Sequence, residues 1–111
     1  MARGVLSTCI GVLLAVGCNP ATQGSTDGKI LFEATCAKCH GYDGKGHPVD
    51  KVKLGVPDMT EEAWHDRLSD EDMARTIRKG SKSGKMPGFG TALSDPQIEA
   101  VIKHVRTLRG R

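Results

Sequence analysis

Aromatic residues are scarce in this chain of 111 residues: two phenylalanines, one tyrosine and one tryptophan. A chain this short buries a modest core on its own. Phe32, Tyr42, Trp64 and Phe89 are the only large rings available to it. A large apolar ligand at the centre would supply the volume that the side chains do not. The same scarcity speaks against nucleic-acid binding, because no aromatic stacking platform accompanies the basic residues. Charge of one sign is also lacking, since the formal net charge is only +3. No run alternates apolar and polar residues for long enough to predict a strand, so the fold class expected is all-α. Long apolar runs are missing as well. The one candidate, residues 5–16, is about twelve residues, too short to cross a bilayer of about 30 Å as a helix.

That run has the length of a signal-peptide core and follows a basic residue, Arg3. It ends in Leu14-Ala15-Val16-Gly17-Cys18, which resembles the lipobox of bacterial lipoproteins. Residues 1–17 are therefore expected to be a signal peptide, in preference to a buried N-terminal helix. A lipid on Cys18 would explain an otherwise lone exported thiol. The polar residues 18–27 would then be a flexible tether. These expectations place the protein outside the cytoplasm, in the periplasm or on the outer face of a membrane, lipid-anchored.

The rest of the chain reads as about four to five short helices. Asp27 can cap a first helix over residues 28–38. Residues 41–57 hold four glycines and two prolines and read as a loop. Thr60 begins a short helix with Glu61 and Glu62 in its first turn, where acids suit the helix dipole. Ser69 caps another, with Met73 and Ile77 on its inner face and Gly80 as its stop. Residues 81–90 read as an exposed loop. Ser94 and Gln97 make a capping box for the last helix. Ile98, Val101, Ile102, Val105 and Leu108 fall on one face of that helix, and Gly110 ends it.

Cys36-Ala37-Lys38-Cys39-His40 is the motif with the most specific chemistry. Cys-x-x-Cys-His is the attachment sequence for c-type haem. Two thiols add across the two vinyl groups, and the adjacent histidine is placed under the iron. Three other readings are weaker. A redox dithiol would want a βαβ context. A zinc site would need two more ligands, for which His47 and His65 are a poor pair. A structural disulfide would close a very small loop.

The runs Gly28-Lys29-Ile30-Leu31-Phe32 before the motif and Gly41-Tyr42-Asp43-Gly44-Lys45-Gly46 after it resemble class I c-type cytochromes. So do Met86-Pro87-Gly88-Phe89-Gly90 and the Leu93-Ser94-Asp95 start of the last helix. The resemblance covers roughly residues 27–109. It implies a small cytochrome c fold in a domain of residues 28–111, with one haem c covalently bound and its iron held by two axial ligands. His40 would be one and a loop methionine the other. Met86 lies in a glycine-rich loop and precedes a proline, whereas Met59 and Met73 read as packing residues. His47, His65 and His104 are rival ligands that read as surface residues. The family also implies a proline carbonyl that accepts from the proximal histidine. Pro57 matches it best, with Pro48 the alternative. Trp64 would pack on haem, hydrogen-bond a propionate, or serve the core. Gly28 and Phe32 match the family's contact between first and last helices, opposite Val101 and His104. Histidine at 104 departs from the aromatic usual there.

Residues 58–72 hold seven acids and one arginine, and residues 75–85 hold five basic residues and no acid. Lys38, Lys45, Lys82 and Lys85 are expected to form a basic rim around the haem edge that steers an acidic redox partner. The bland alternative is a set of solvated helix ends. Histidine and methionine ligation would leave the iron no open position, so the function expected is electron transfer between redox proteins, not catalysis. The rival is a haem sensor or small-ligand-binding cytochrome with a displaceable sixth ligand.

Overall fold

The structure is a computed structural model that describes residues 24–111. The signal segment, Cys18 and most of the expected tether lie outside the described residues. Among those residues there are six helices and no strand: α1 (Gly28–Thr35), α2 (Ala37–His40), α3 (Pro48–Leu54), α4 (Glu62–Arg67), α5 (Asp70–Lys79) and α6 (Asp95–Thr107). This agrees with an all-α class and exceeds the expected number of helices.

α1 starts where its sequence says. The Asp27 carboxylate accepts from the N–H groups of Lys29 and Ile30, two donors that otherwise lack a helical partner. The expected helix over residues 28–38 is broken at Cys36, and α2 carries the chain on to His40. α1 packs against α6. Their contact is close because residue 28 is glycine: a Cβ there would collide with the Ala100 carbonyl oxygen. Leu31 and Phe32 of α1 and Ile98 and Val101 of α6 are the most completely buried side chains. Each such burial contributes roughly 1.5–3 kcal/mol. The tail of the expected tether is not free of the domain, since Gln97 Nε2 donates to the Ser25 carbonyl at 2.9 Å.

α5 and α6 both carry the capping boxes that their sequences predict, Ser69 with Asp72 and Ser94 with Gln97. Met73 and Ile77 face the core, as do Ile98, Val101, Ile102, Val105 and Leu108. α6 ends at Thr107, before the Gly110 stop. The fourth helix also starts later than expected. Thr60 is not its cap: the Thr60 N–H and hydroxyl both donate to the Asp58 carboxylate, at 2.8 and 2.6 Å, and Glu61 is the N-cap of α4.

α3 corrects the reading of residues 41–57 as pure loop. Pro48 opens it at a position where its missing N–H costs nothing. Asp50 lies in its first turn, and Gly55 closes it in the left-handed conformation at φ 67°. None of its residues is buried. With no apolar stripe the helix left no periodicity to detect.

His104 meets Phe32 in the α1–α6 seam, their ring centroids 5.0 Å apart. Its Nε2 is buried without a hydrogen-bond partner among the described residues. Burial holds the imidazole below its ordinary pKa of 6.5; nearby Glu33 and Asp27 favour the charged form, and Lys29 and Arg111 oppose it. A base with a lowered folded-state pKa binds protons more readily unfolded. Its contribution is therefore present above pH 6.5 and is lost as the pH falls below it. His104→Phe should flatten that part of the profile. Thermal melts of both proteins between pH 7.5 and 5 check this, and parallel profiles would show that His104 does not contribute.

Candidate functional site

Among the described residues the helices leave a large apolar cavity, of about 570 Å³, between the Cys36–His40 corner and the loop after α5. That volume lies within the range of about 300–1,000 Å³ usual for cofactor sites. All six residues singled out from the sequence line it: Cys36, Cys39, His40, Pro57, Trp64 and Met86. Met59 and Met73 border it too, and both are nearly fully buried.

The corner is built by local hydrogen bonding. Cys36 ends α1 with its N–H donating to the Phe32 carbonyl at 2.8 Å, and its own carbonyl accepts from Cys39 and His40. The turn thus brings both sulfurs and the imidazole to one end of the cavity. A second layer fixes it from behind, where Gly46 N–H donates to the His40 carbonyl at 2.8 Å and His47 N–H to the Cys39 carbonyl at 2.9 Å.

Cys36 and Cys39 are free thiols. Burial pushes the Cys36 thiol up to about 12, with the neighbouring Cys39 adding to the rise. A redox dithiol needs the opposite shift. His40 is buried, and desolvation lowers its pKa. Its imidazole is therefore neutral at physiological pH, the form that binds metals. Its Nδ1 is buried and makes no hydrogen bond among the described residues. The expected bond from that nitrogen to the Pro57 carbonyl is thus not formed here, although Pro57 borders the cavity.

His65 is where the sequence reading failed most clearly. It is not a surface residue but is only 3% exposed. Its Nε2 lies 2.7 Å from the Met59 carbonyl and its Nδ1 lies 3.1 Å from Arg106 Nη1. Arginine only donates, so Nδ1 accepts and Nε2–H donates to Met59. Arg106 also donates to the carbonyls of His65 and Leu68, at 3.1 and 2.6 Å, and to the Asp70 carboxylate at 3.0 Å. One side chain of α6 thus holds the α4–α5 corner, which carries Trp64 and Leu68 against the cavity. Trp64 also meets the His65 ring edge-on, centroids 4.9 Å apart. His65 is therefore fully engaged in structure, and no group of three His, Cys, Asp or Glu side chains suited to a metal exists among the described residues.

Of the four lysines expected around the site, Lys38 and Lys85 reach the cavity rim and Lys45 and Lys82 do not. All four are exposed.

Two thiols and a neutral buried imidazole at one end of an apolar cavity, with a thioether available in a loop, fit a covalently attached haem. Comparison with known proteins agrees. The family model described as "Cytochrome C oxidase, cbb3-type, subunit III" matches residues 23–105. A cbb3-type cytochrome c oxidase subunit FixP of Azorhizobium caulinodans is 35% identical over 89 residues, 80% of this chain and 29% of that protein. Subunit CcoP of Rhodobacter capsulatus is 33% identical over 106 residues, 88% of this chain and 34% of that protein. The chain thus spans about a third of the length of these curated relatives. Among solved structures, the KustC0563 c-type cytochrome matches with a TM-score of 0.69 and 28% identity, covering 75% of this chain and 98% of that one.

Proposed function

Because the chain belongs to the cbb3-type cytochrome c oxidase subunit III family of c-type cytochromes, we propose that its domain is a one-haem electron-transfer module. The observation that carries this is the corner at residues 36–40, which turns two thiols and a neutral imidazole into one 570 Å³ apolar cavity. In this reading Cys36 and Cys39 hold the haem through thioethers, and His40 and Met86 bind its iron. Bound haem c supplies a one-electron Fe(II)/Fe(III) couple. The protein's part is to exclude water, fix the ligands and set the potential. A soft thioether favours ferrous iron and raises the potential relative to two nitrogen ligands. Of the three methionines bordering the cavity, Met59 and Met73 are locked in the core cluster. Met59 N–H also bonds to the Gly44 carbonyl, in the loop behind His40. Met86 comes from the separate segment after α5, is only partly buried against that cluster, and would be the second ligand.

We assign the partner to another redox protein, approached through the rim that carries Lys38 and Lys85. Electron-transfer rates should then fall as salt screens these charges. The relatives' names place them in oxidase complexes, so an oxidase subunit is one such partner. The leader over residues 1–17 would direct export, and a lipid on Cys18 would keep the domain at a membrane surface outside the cytoplasm. Among the described residues no helix is long and apolar enough to cross a membrane.

The test is a potentiometric titration of the full chain matured with haem c, followed optically. One covalently bound haem, low-spin in both states and titrating reversibly with one electron, is the expected result. A high-spin centre, or a chain that leaves maturation without haem, would defeat the proposal.

A further inference from the structure

The segment that carries Met86 has no helix and exposes most of its residues, yet its backbone is held at defined points. Ser81 and Met86 bond to each other twice. The Ser81 N–H donates to the Met86 carbonyl at 3.0 Å, and the Met86 N–H donates to the Ser81 hydroxyl oxygen at 3.1 Å. The second bond depends on the side chain at position 81. The Ser81 hydroxyl lies 3.1 Å from that of Ser83, which accepts from Lys85 N–H at 3.3 Å. On the far side, Phe89 and Gly90 N–H groups donate to the Ile77 and Arg78 carbonyls at 2.7 and 3.1 Å.

The fit leaves no slack. Gly80 sits at φ 89°, and a Cβ there would lie 2.6 Å from the Met86 carbonyl oxygen. A Cβ on Gly88 would lie 2.7 Å from the Arg78 carbonyl oxygen. Both glycines are therefore required for the turn to close on the end of α5. Met86 itself is half-buried against the core, and Ser81 and Ser83 border the cavity beside it.

We propose that the Ser81 hydroxyl is a positioning residue for Met86: it fixes the backbone from which the thioether is presented and so resists displacement of that ligand. The inference rests on the reading of Met86 as the axial ligand. A hydroxyl accepting a backbone N–H in a partly buried site is costly to remove, because the N–H then lacks a partner. The loss falls on the bound conformation of the loop, so an exogenous ligand should compete better. A shift of one hydrogen bond corresponds to a change of about five- to tenfold in such a competition.

The experiment uses the full haem-loaded chain and imidazole as the competing ligand for ferric iron. Four variants accompany the native protein: Ser81→Ala, Ser81→Gly, Ser81→Thr and Met86→Ala. The readouts are imidazole affinity, reduction potential and the thioether-to-ferric-iron absorption band, with thermal unfolding measured in parallel. Ser81→Ala should keep the band, bind imidazole about five- to tenfold more tightly and have a lower potential. Ser81→Thr, which keeps the hydroxyl, should behave as native. Ser81→Gly gives the same comparison should the alanine variant fail to fold. Loss of the band in Met86→Ala with native imidazole affinity in Ser81→Ala would overturn the role of Ser81 while leaving the ligand intact. A band that survives Met86→Ala would overturn the ligand reading itself, and the Ser81 proposal with it.

Discussion

Replacing Cys36 and Cys39 together by alanine is expected to abolish covalent haem and with it the fold. The two sulfurs stand at the end of a cavity of about 570 Å³. An apolar space of that size left without its occupant deprives its lining of packing contacts. The chain cannot keep such a space open, and with four aromatic rings in all it has little with which to refill it. The double variant should carry no haem absorbance after denaturation and should lack a cooperative thermal transition. Each single variant retains one possible thioether and should fall between. A double variant that melted like the native protein would show that the domain does not need the group its cavity fits.

The second large effect is expected at Met86. Met86→Ala removes the thioether and leaves the other side chains of the cavity in place. Axial ligands spread haem potentials over about 0.8 V. Exchanging a thioether for water should thus lower the potential by a few tenths of a volt, read by protein-film voltammetry. The thioether-to-iron band should vanish, and ferrous iron should become open to small ligands. Met73→Leu, which conserves volume in the core, should change neither potential nor band. If the two variants exchanged these behaviours, the ligand would be Met73.

The sequence carried the attachment site and the capped starts of α1, α5 and α6, because these are local. Cys36-Ala37-Lys38-Cys39-His40 lies within one turn, and the Ser69 and Ser94 boxes each close within three residues. The Gly28 contact was legible through the family resemblance, and the structure shows the close approach to Ala100 that it implied. What escaped did so for separate physical reasons. α3 buries nothing, so its helix rests on end signals with no periodicity to announce it. His65 and Arg106 are 41 positions apart, and neither position looks unusual beside its neighbours. A lone histidine is most often a surface residue, and only the Met59 carbonyl and the Arg106 guanidinium on either side of the ring make it a core one. The Ser81–Met86 exchange is hidden for a different reason. A run of small and polar residues reads only as an exposed loop, and only the geometry shows that its serine and its glycines close it on α5. The His40 Nδ1 has no partner among the described residues, a departure from the proline carbonyl that the family resemblance implied at Pro57 or Pro48.

The claim at the centre of this account is that the site moves electrons and binds nothing else. Carbon monoxide tests it most directly, because it binds ferrous haem only where a coordination position is open or easily opened. The full chain, matured with haem c and reduced, should keep its spectrum unchanged under carbon monoxide, while Met86→Ala prepared alongside should bind it. If the native protein bound carbon monoxide readily, the sixth position would be available to small ligands, and a sensor or ligand-binding cytochrome would replace the electron carrier.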